Sequence, residues 1–183
     1  MNQELIFSES IILIGPMGTG KSTIAKVLSE KTGMPNISLD NRKYYPKGFY
    51  ENTDFDYQKK YELELANRIL SGINEPSIID FGAGHSVYEN PEMFEELKKT
   101  LDYFRNVVLI LPSSNMAESI NILNERRKFS IMSESDKENW RFLTFKGNEE
   151  LATIIVYTNN KTPEDVSNEV LELISSKESE VKR

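Results

Sequence analysis

Five short apolar runs punctuate the chain, at residues 11–14, 36–40, 77–81, 106–111 and 152–157, each bounded by glycine, proline or polar turn residues. Short runs of this kind suit strands buried on both faces, as in a parallel sheet, because strands with one wet face alternate instead. Between the runs the apolar positions recur every three or four residues. Ile24, Ala25, Val27 and Leu28 predict a helix over 22–30, and Tyr57, Tyr61, Leu65 and Ile69 predict the inward stripe of a long helix over 54–71. Further helices are expected over 90–101, from Ser113 or Ser114 through Ile120, Leu123 and the basic cluster Arg126-Arg127-Lys128, over 140–151, and from Thr162 onward, with a solvated tail after it. Gly33 and Gly72 supply stops, while Asn90-Pro91-Glu92 and Thr162-Pro163-Glu164 read as a cap, a first-position proline and a first-turn acid. Strand alternating with helix from end to end predicts an α/β fold. With no repeat or linker, residues 1–183 read as one domain.

The first run leads directly into chemistry. IILIGPMGTGKST places Gly15, Gly20, Lys21 and Ser22 on the G-x-x-x-x-G-K-[ST] spacing, between a strand and a helix. In such a loop successive N–H groups turn inward around a nucleotide phosphate, so Gly15, Met17, Gly18, Thr19, Gly20, Lys21, Ser22 and Thr23 are the candidate nucleotide-binding residues. Lys21 would reach the outer phosphates, Ser22 would offer its hydroxyl to Mg²⁺, and the following helix would point its positive end at the anion.

Composition then narrows the partners. The chain has 22 Lys and Arg against 29 Asp and Glu, a formal charge of −7, which disfavours a general nucleic-acid surface. No cysteine and a single histidine exclude thiolate and histidine-rich metal centres, leaving Mg²⁺ on oxygen ligands as the expected metal. No stretch has the roughly 20 apolar residues of a membrane span, and MNQELIFSES lacks the pattern of a signal peptide. A cytoplasmic protein with no membrane partner, a monomer or weak homodimer, is the expectation.

The ends of the second and third runs hold the other candidates. In open parallel sheets a ligand lies beyond the carboxyl ends of the strands, where Asp40 and Asp80 fall. Asp40 reads equally as a helix cap or as a site carboxylate, and Asp80 as the metal-supporting carboxylate on a strand next to the loop. Gly82, Ala83, Gly84 and His85 follow at the cleft mouth as candidate acceptor-contacting residues, although a lone histidine is more often structural. The aromatic, basic segment NRKYYPKGFYENT and the helix after it, about 41–72, read as an acceptor-binding segment. Residues 126–140 read as a lid, whose arginine pair Arg126 and Arg127 would neutralise phosphate charge or simply complement a helix end.

Taken together, IGPMGTGKST, SLD at 38–40, DFGAGH and NEELATIIVYTNNKTPEDVSNEVLELI make the chain similar to the shikimate kinase-like branch of small-molecule kinases among the P-loop NTPases, along nearly its whole length. The resemblance implies a three-layer sandwich with a five-stranded parallel sheet in the order 2-3-1-4-5, ATP as donor, and phosphoryl transfer to a small-molecule acceptor. It also implies that Asp40 orients or deprotonates the acceptor hydroxyl, and that Asn160 and Pro163 contact the base. Departures are visible. The family's D-x-D reads Ser38-Leu39-Asp40, its G-G-G turn reads Gly82-Ala83-Gly84, and its acceptor-gripping arginines have no counterpart in TDFDYQKKYE or near Thr144. Threonine and aspartate do not reproduce a bidentate guanidinium–carboxylate contact, so a different acceptor is expected. A nucleotide-binding regulatory module or an ATPase without transfer is the alternative. A GTPase switch is disfavoured, because Asn160-Lys161-Thr162-Pro163 lacks the guanine-reading aspartate.

Overall fold

The computed structural model describes residues 2–127 and 134–181, with the side chains of 127, 134–138, 178, 180 and 181 outside that description. Residues 128–133 of the expected lid and the Arg127 side chain therefore lie outside the described residues. Five strands form one parallel sheet: β1 (Ile11–Ile14), β2 (Asn36–Ser38), β3 (Ile78–Asp80), β4 (Asn106–Leu111) and β5 (Ile154–Tyr157). Their order is β2-β3-β1-β4-β5, as expected. β1 is central, and its four residues are all buried because it has a strand on each edge and helices on each face.

Successive side chains point to opposite faces of the sheet, so each strand feeds two cores. Ile12, Ile14, Ile79, Phe81, Val107 and Leu109 pack against α3 (Phe55–Ser71) and α4 (Pro91–Leu101), with α6 (Glu134–Thr144) and α7 (Gly147–Leu151) adding Phe142 and Leu151. On the other face Ile11, Leu13, Ile78, Val108, Ile110, Ile154 and Val156 meet Ile24, Ala25 and Leu28 of α2 (Lys21–Thr32) and Val166 and Val170 of α8 (Pro163–Val181). Burying a side chain of this size contributes about 1.5–3 kcal/mol, so these two layers carry most of the fold's stability.

Several expectations change. Residues Gln3–Glu9 form a helix, α1, that the sequence pattern did not predict; it is capped by Asn2 and held by Ile6 and by Phe7 stacking on Phe104 at 4.8 Å. The single helix expected over 140–151 is two helices, and the part of the polar stretch over 134–139 belongs to α6. α8 continues to Val181 through the segment expected to be a tail. On α3, Leu65 is buried as predicted, but the inward row is Lys59, Leu63, Ala66 and Leu70. Tyr57 and Tyr61 turn instead toward Phe49, at 6.2 and 5.0 Å between ring centroids, so the loop before α3 partners the tyrosines that the core does not take.

Candidate active site

Parallel pairing brings the carboxyl ends of β1, β2 and β3 side by side, with Ser38 opposite Asp80 and Asp80 opposite Leu13. What leaves those ends is the site: the loop from Gly15, the Leu39-Asp40 turn, and the Phe81–His85 turn. A cleft of about 360 Å³ between them is lined by Met17, Gly18, Gly20, Lys21, Ser22 and Thr23 on one side. Asp40, Tyr45, Tyr50, Glu62, Ala83, Gly84 and His85 line the other.

The loop takes the form its glycines require. Gly18 and Gly20 have φ of 90° and 92°, a left-handed region that residues with a Cβ avoid. Gly20 is also the N-cap of α2, so the helix starts at Lys21 with its N-terminus facing the cleft. Lys21 is 7% exposed and folds back, donating to the carbonyls of Gly15 at 2.8 Å and Pro16 at 3.2 Å. Burial lowers its pKa, opposed by the carboxylates of Asp80 and Asp40. Thr19 is buried and donates to Pro16, which closes the loop from within. The Met17 N–H is held by Asn139 of α6, so a loop amide expected to face phosphate is engaged with a side chain here.

Asp80 is 1% exposed, and burial raises its pKa, with the Ser22 hydroxyl and the Lys21 ammonium pulling the other way. Its Oδ2 accepts from Ser38 at 3.4 Å, whereas its Oδ1 has no hydrogen-bond partner among the described residues. An orphaned, buried carboxylate oxygen is costly unless something absent from the protein completes it. The Ser22 hydroxyl lies beside it, so the donor set suits a hard divalent cation that also holds phosphate oxygens.

Asp40 and His85 converge across Gly82. His85 Nδ1 lies 3.8 Å from Asp40 Oδ1, and a Cβ on residue 82 would stand 2.0 Å from Asp40 Oδ1 and 2.4 Å from His85 Nδ1. Only glycine allows this approach. Tyr45 bridges the pair to the backbone, its hydroxyl donating to the Leu39 carbonyl at 2.9 Å and lying 2.6 Å from His85 Nε2. Which of the Tyr45 hydroxyl and Nε2 donates is set by the ring's tautomer, and Nδ1 has no hydrogen-bond partner among the described residues. Burial lowers the His85 pKa, against the opposing pull of Glu62 and Asp40, so the neutral ring is favoured.

Other predicted residues fall elsewhere. Arg126 does not line this cleft; its guanidinium donates to Oγ1 and O of Thr158 at 3.2 and 3.4 Å, because the last turn of α5 (Met116–Arg127) abuts the end of β5. There it shares a second hollow of about 220 Å³ with Thr19, Thr23, Lys161 and Pro163, on the far side of the loop. Asn160 does not line that hollow; it occupies a left-handed turn, φ 57°, in the loop leading to Pro163.

Sequence reasoning missed three participants. Glu62 falls within the expected acceptor-binding segment 41–72 without a pattern that singles it out, yet it lines the cleft and is paired with Lys59 at 2.8 Å. Lys59 was not predicted to be buried, and Asn139 was placed in a lid rather than against the loop. A lysine one turn behind Leu63 on a buried helical face was the available signal for the first two.

These features define a P-loop α/β nucleotide-binding fold with a cleft facing the loop. The model of an AAA domain family matches residues 11–141, and the chain belongs to that family. Over most of its length it is similar to the shikimate kinase of Enterococcus faecalis, 28% identical over 171 residues covering 90% of this chain and 97% of the relative. It is also similar to the cytidylate kinase of Sulfolobus acidocaldarius, 26% identical over 181 residues covering 91% and 94%. These relatives meet the expected resemblance to shikimate kinase-like small-molecule kinases. Among solved structures, a shikimate kinase from Acinetobacter baumannii in complex with shikimate superposes with a TM-score of 0.69 at 18% identity, covering 94% of this chain and 96% of that one. A gluconokinase from Sinorhizobium meliloti gives a TM-score of 0.64 at 15% identity, covering 96% and 97%. At such identities the likeness is one of fold. Among the described residues no helix is long and apolar enough to cross a membrane.

Proposed function

We propose that the protein transfers the terminal phosphoryl group of ATP, with Mg²⁺, to a hydroxyl of a small metabolite. The observation that carries this reading is the single cleft joining Lys21 and Ser22 of the loop to Asp40 and His85. An ATPase needs only a water beyond the phosphates, whereas this cleft has a second, chemically distinct wall. The similarity to shikimate and cytidylate kinases supports the same reading.

In this account the amides of Gly18 to Thr23 and the α2 N-terminus cradle the phosphates, and Lys21 leaves the Gly15 and Pro16 carbonyls to meet them. Ser22 and Asp80 would hold Mg²⁺, which draws charge from the phosphate oxygens. Asp40 positions the acceptor hydroxyl and takes its proton as the new O–P bond forms. His85, neutral and fixed by Tyr45, bounds Asp40 on its inner side. Arg126 and Pro163 flank the base in the second hollow, so Arg126 acts there rather than over the transferring group. Residues 41–72 form the acceptor-binding segment, supplying Tyr45, Tyr50 and Glu62.

The test is ADP formation from ATP and Mg²⁺ across a panel of sugars, amino sugars, hydroxy acids, nucleosides and nucleoside monophosphates. Acceptor-dependent ADP release with a phosphorylated product supports the reading. Nucleotide binding with no transfer to any acceptor contradicts it and favours a regulatory role.

A further inference from the structure

The chemistry of the acceptor wall says what kind of hydroxyl compound it fits. Asp40, Tyr45, Tyr50, Glu62, Ala83, Gly84 and His85 make that wall, which among the described residues contains two carboxylates and no cation. Lys21, across the cleft, is assigned to phosphate. The nearest other cation on α3, Lys59, is withdrawn behind the wall: its side chain is 9% exposed, and its ammonium is bound to Glu62 Oε2 at 2.8 Å and to the Gly84 carbonyl at 2.6 Å. It also faces the Tyr88 ring at 5.2 Å, so its charge is offset and two of its three donors are taken. Arg42 does not line the cleft and lies over the Tyr50 ring at 5.6 Å.

We propose that the site selects a hydroxyl compound bearing a protonated amine, such as an amino alcohol or amino sugar, over a hydroxy acid or phosphate ester. This rests on the kinase reading and specifies its acceptor. An acidic group placed in the wall would face Asp40 and the Glu62 oxygen that Lys59 does not hold, with no guanidinium or ammonium of the wall among the described residues to receive it, and like charges at close range are repelled most strongly where water is scarce. An ammonium meets the opposite conditions. Glu62, 17% exposed at its side chain, can accept from it, and Tyr45 and Tyr50 bring electron-rich aromatic side chains to the same wall. Asp40 is left for the reacting hydroxyl.

Matched trios of one carbon skeleton, for example glucosamine, glucose and gluconate, or an amino alcohol with its diol and hydroxy acid, are assayed for ADP formation. Probes that are not turned over are titrated calorimetrically in the presence of Mg²⁺ and a non-hydrolysable ATP analogue. The amine of at least one trio is expected to exceed its neutral and acidic partners by about tenfold or more in kcat/KM or affinity. Glu62→Gln should shrink that preference about fivefold or more, with ATP binding unchanged. Tyr50→Leu, which leaves the Lys59–Glu62 pair intact, should also shrink it, so the test survives if Glu62→Gln misfolds. An acid as the best probe, as would follow if it took Lys59 from Glu62, overturns the inference while leaving the kinase reading standing. Equal use of the three members, or no binding by any amine, also overturns it. Failure of the kinase reading is recognised separately, as nucleotide binding without transfer to any probe.

Discussion

The carboxamide of Asn139 grips the backbone of Met17 from both sides, accepting from its N–H at 2.8 Å and donating to its carbonyl at 3.1 Å across 122 residues of sequence. Asn139 is buried, and the next turn of α6 anchors through Phe142, so the phosphate loop is tied to a helix that is itself tied to the core. Each such hydrogen bond is worth about 0.5–1.5 kcal/mol net, so Asn139→Ala should raise the KM for ATP about threefold to tenfold. Steady-state kinetics at saturating acceptor check this, and an unchanged KM would show that the clamp does not hold the loop in its binding form.

Gly82 sets the spacing of Asp40 and His85. Since a Cβ there would lie 2.0 Å from Asp40 Oδ1 and 2.4 Å from His85 Nδ1, Gly82→Ala must displace the carboxylate from its place beside His85. A displacement near 1 Å costs about 10²-fold in turnover, and that loss is expected in kcat with nucleotide affinity retained. Turnover within a few-fold of wild type would remove Asp40 from the reacting position.

His85 makes stability depend on pH. Burial holds its folded-state pKa below the ordinary value of 6.5, so the unfolded chain binds the proton first. Stability from this group is complete above pH 6.5 and is lost as pH falls below it toward the folded value. Urea denaturation at a series of pH values below neutrality should show that decline, and His85→Gln should flatten it. A wild-type stability that rises over this window on acidification would contradict the neutral, buried ring.

Lys59 and Glu62 form a pair that is 9% and 17% exposed at the side chains. Removing one partner of a buried pair leaves the other charge uncompensated, at about 3–5 kcal/mol; Glu62 keeps some contact with water, so Lys59→Met is expected to cost about 3 kcal/mol. Adding Glu62→Leu should recover part of it. Thermal melts of both variants measure the effect, and a neutral Lys59→Met would show that the ion pair is not what holds α3 against the Gly84 turn.

What the sequence disclosed and what it hid divide along contact range. The phosphate loop was legible because its parts lie within nine residues and their chemistry is tied to that spacing. Asp40, Asp80 and Gly82–His85 were legible as strand ends, because parallel topology collects strand ends at one edge. The Met17–Asn139 clamp and the bridge from Tyr45 to His85 were not, since neither partner carries a local pattern pointing at the other. Glu62 and Lys59 were hidden by a rule that places charged residues on the wet face of a helix, which holds until two of them satisfy each other. Arg126 was legible as a cation ending a helix, but only the position of β5 places that end at Thr158 and the second hollow. The short helix at Gln3–Glu9 has its buried anchor in Ile6, too few residues for a period to emerge.

The central claim is that the loop and the Asp40 wall act as one phosphoryl-transfer site. Its most direct test is acceptor-dependent phosphorylation, followed by mass spectrometry of the product, for wild type and Lys21→Ala side by side with circular dichroism of both. Wild type is expected to give a phosphorylated acceptor, and the variant to lose about 10²-fold or more in rate with its fold intact. A folded Lys21→Ala protein that phosphorylates the acceptor at the wild-type rate would contradict it.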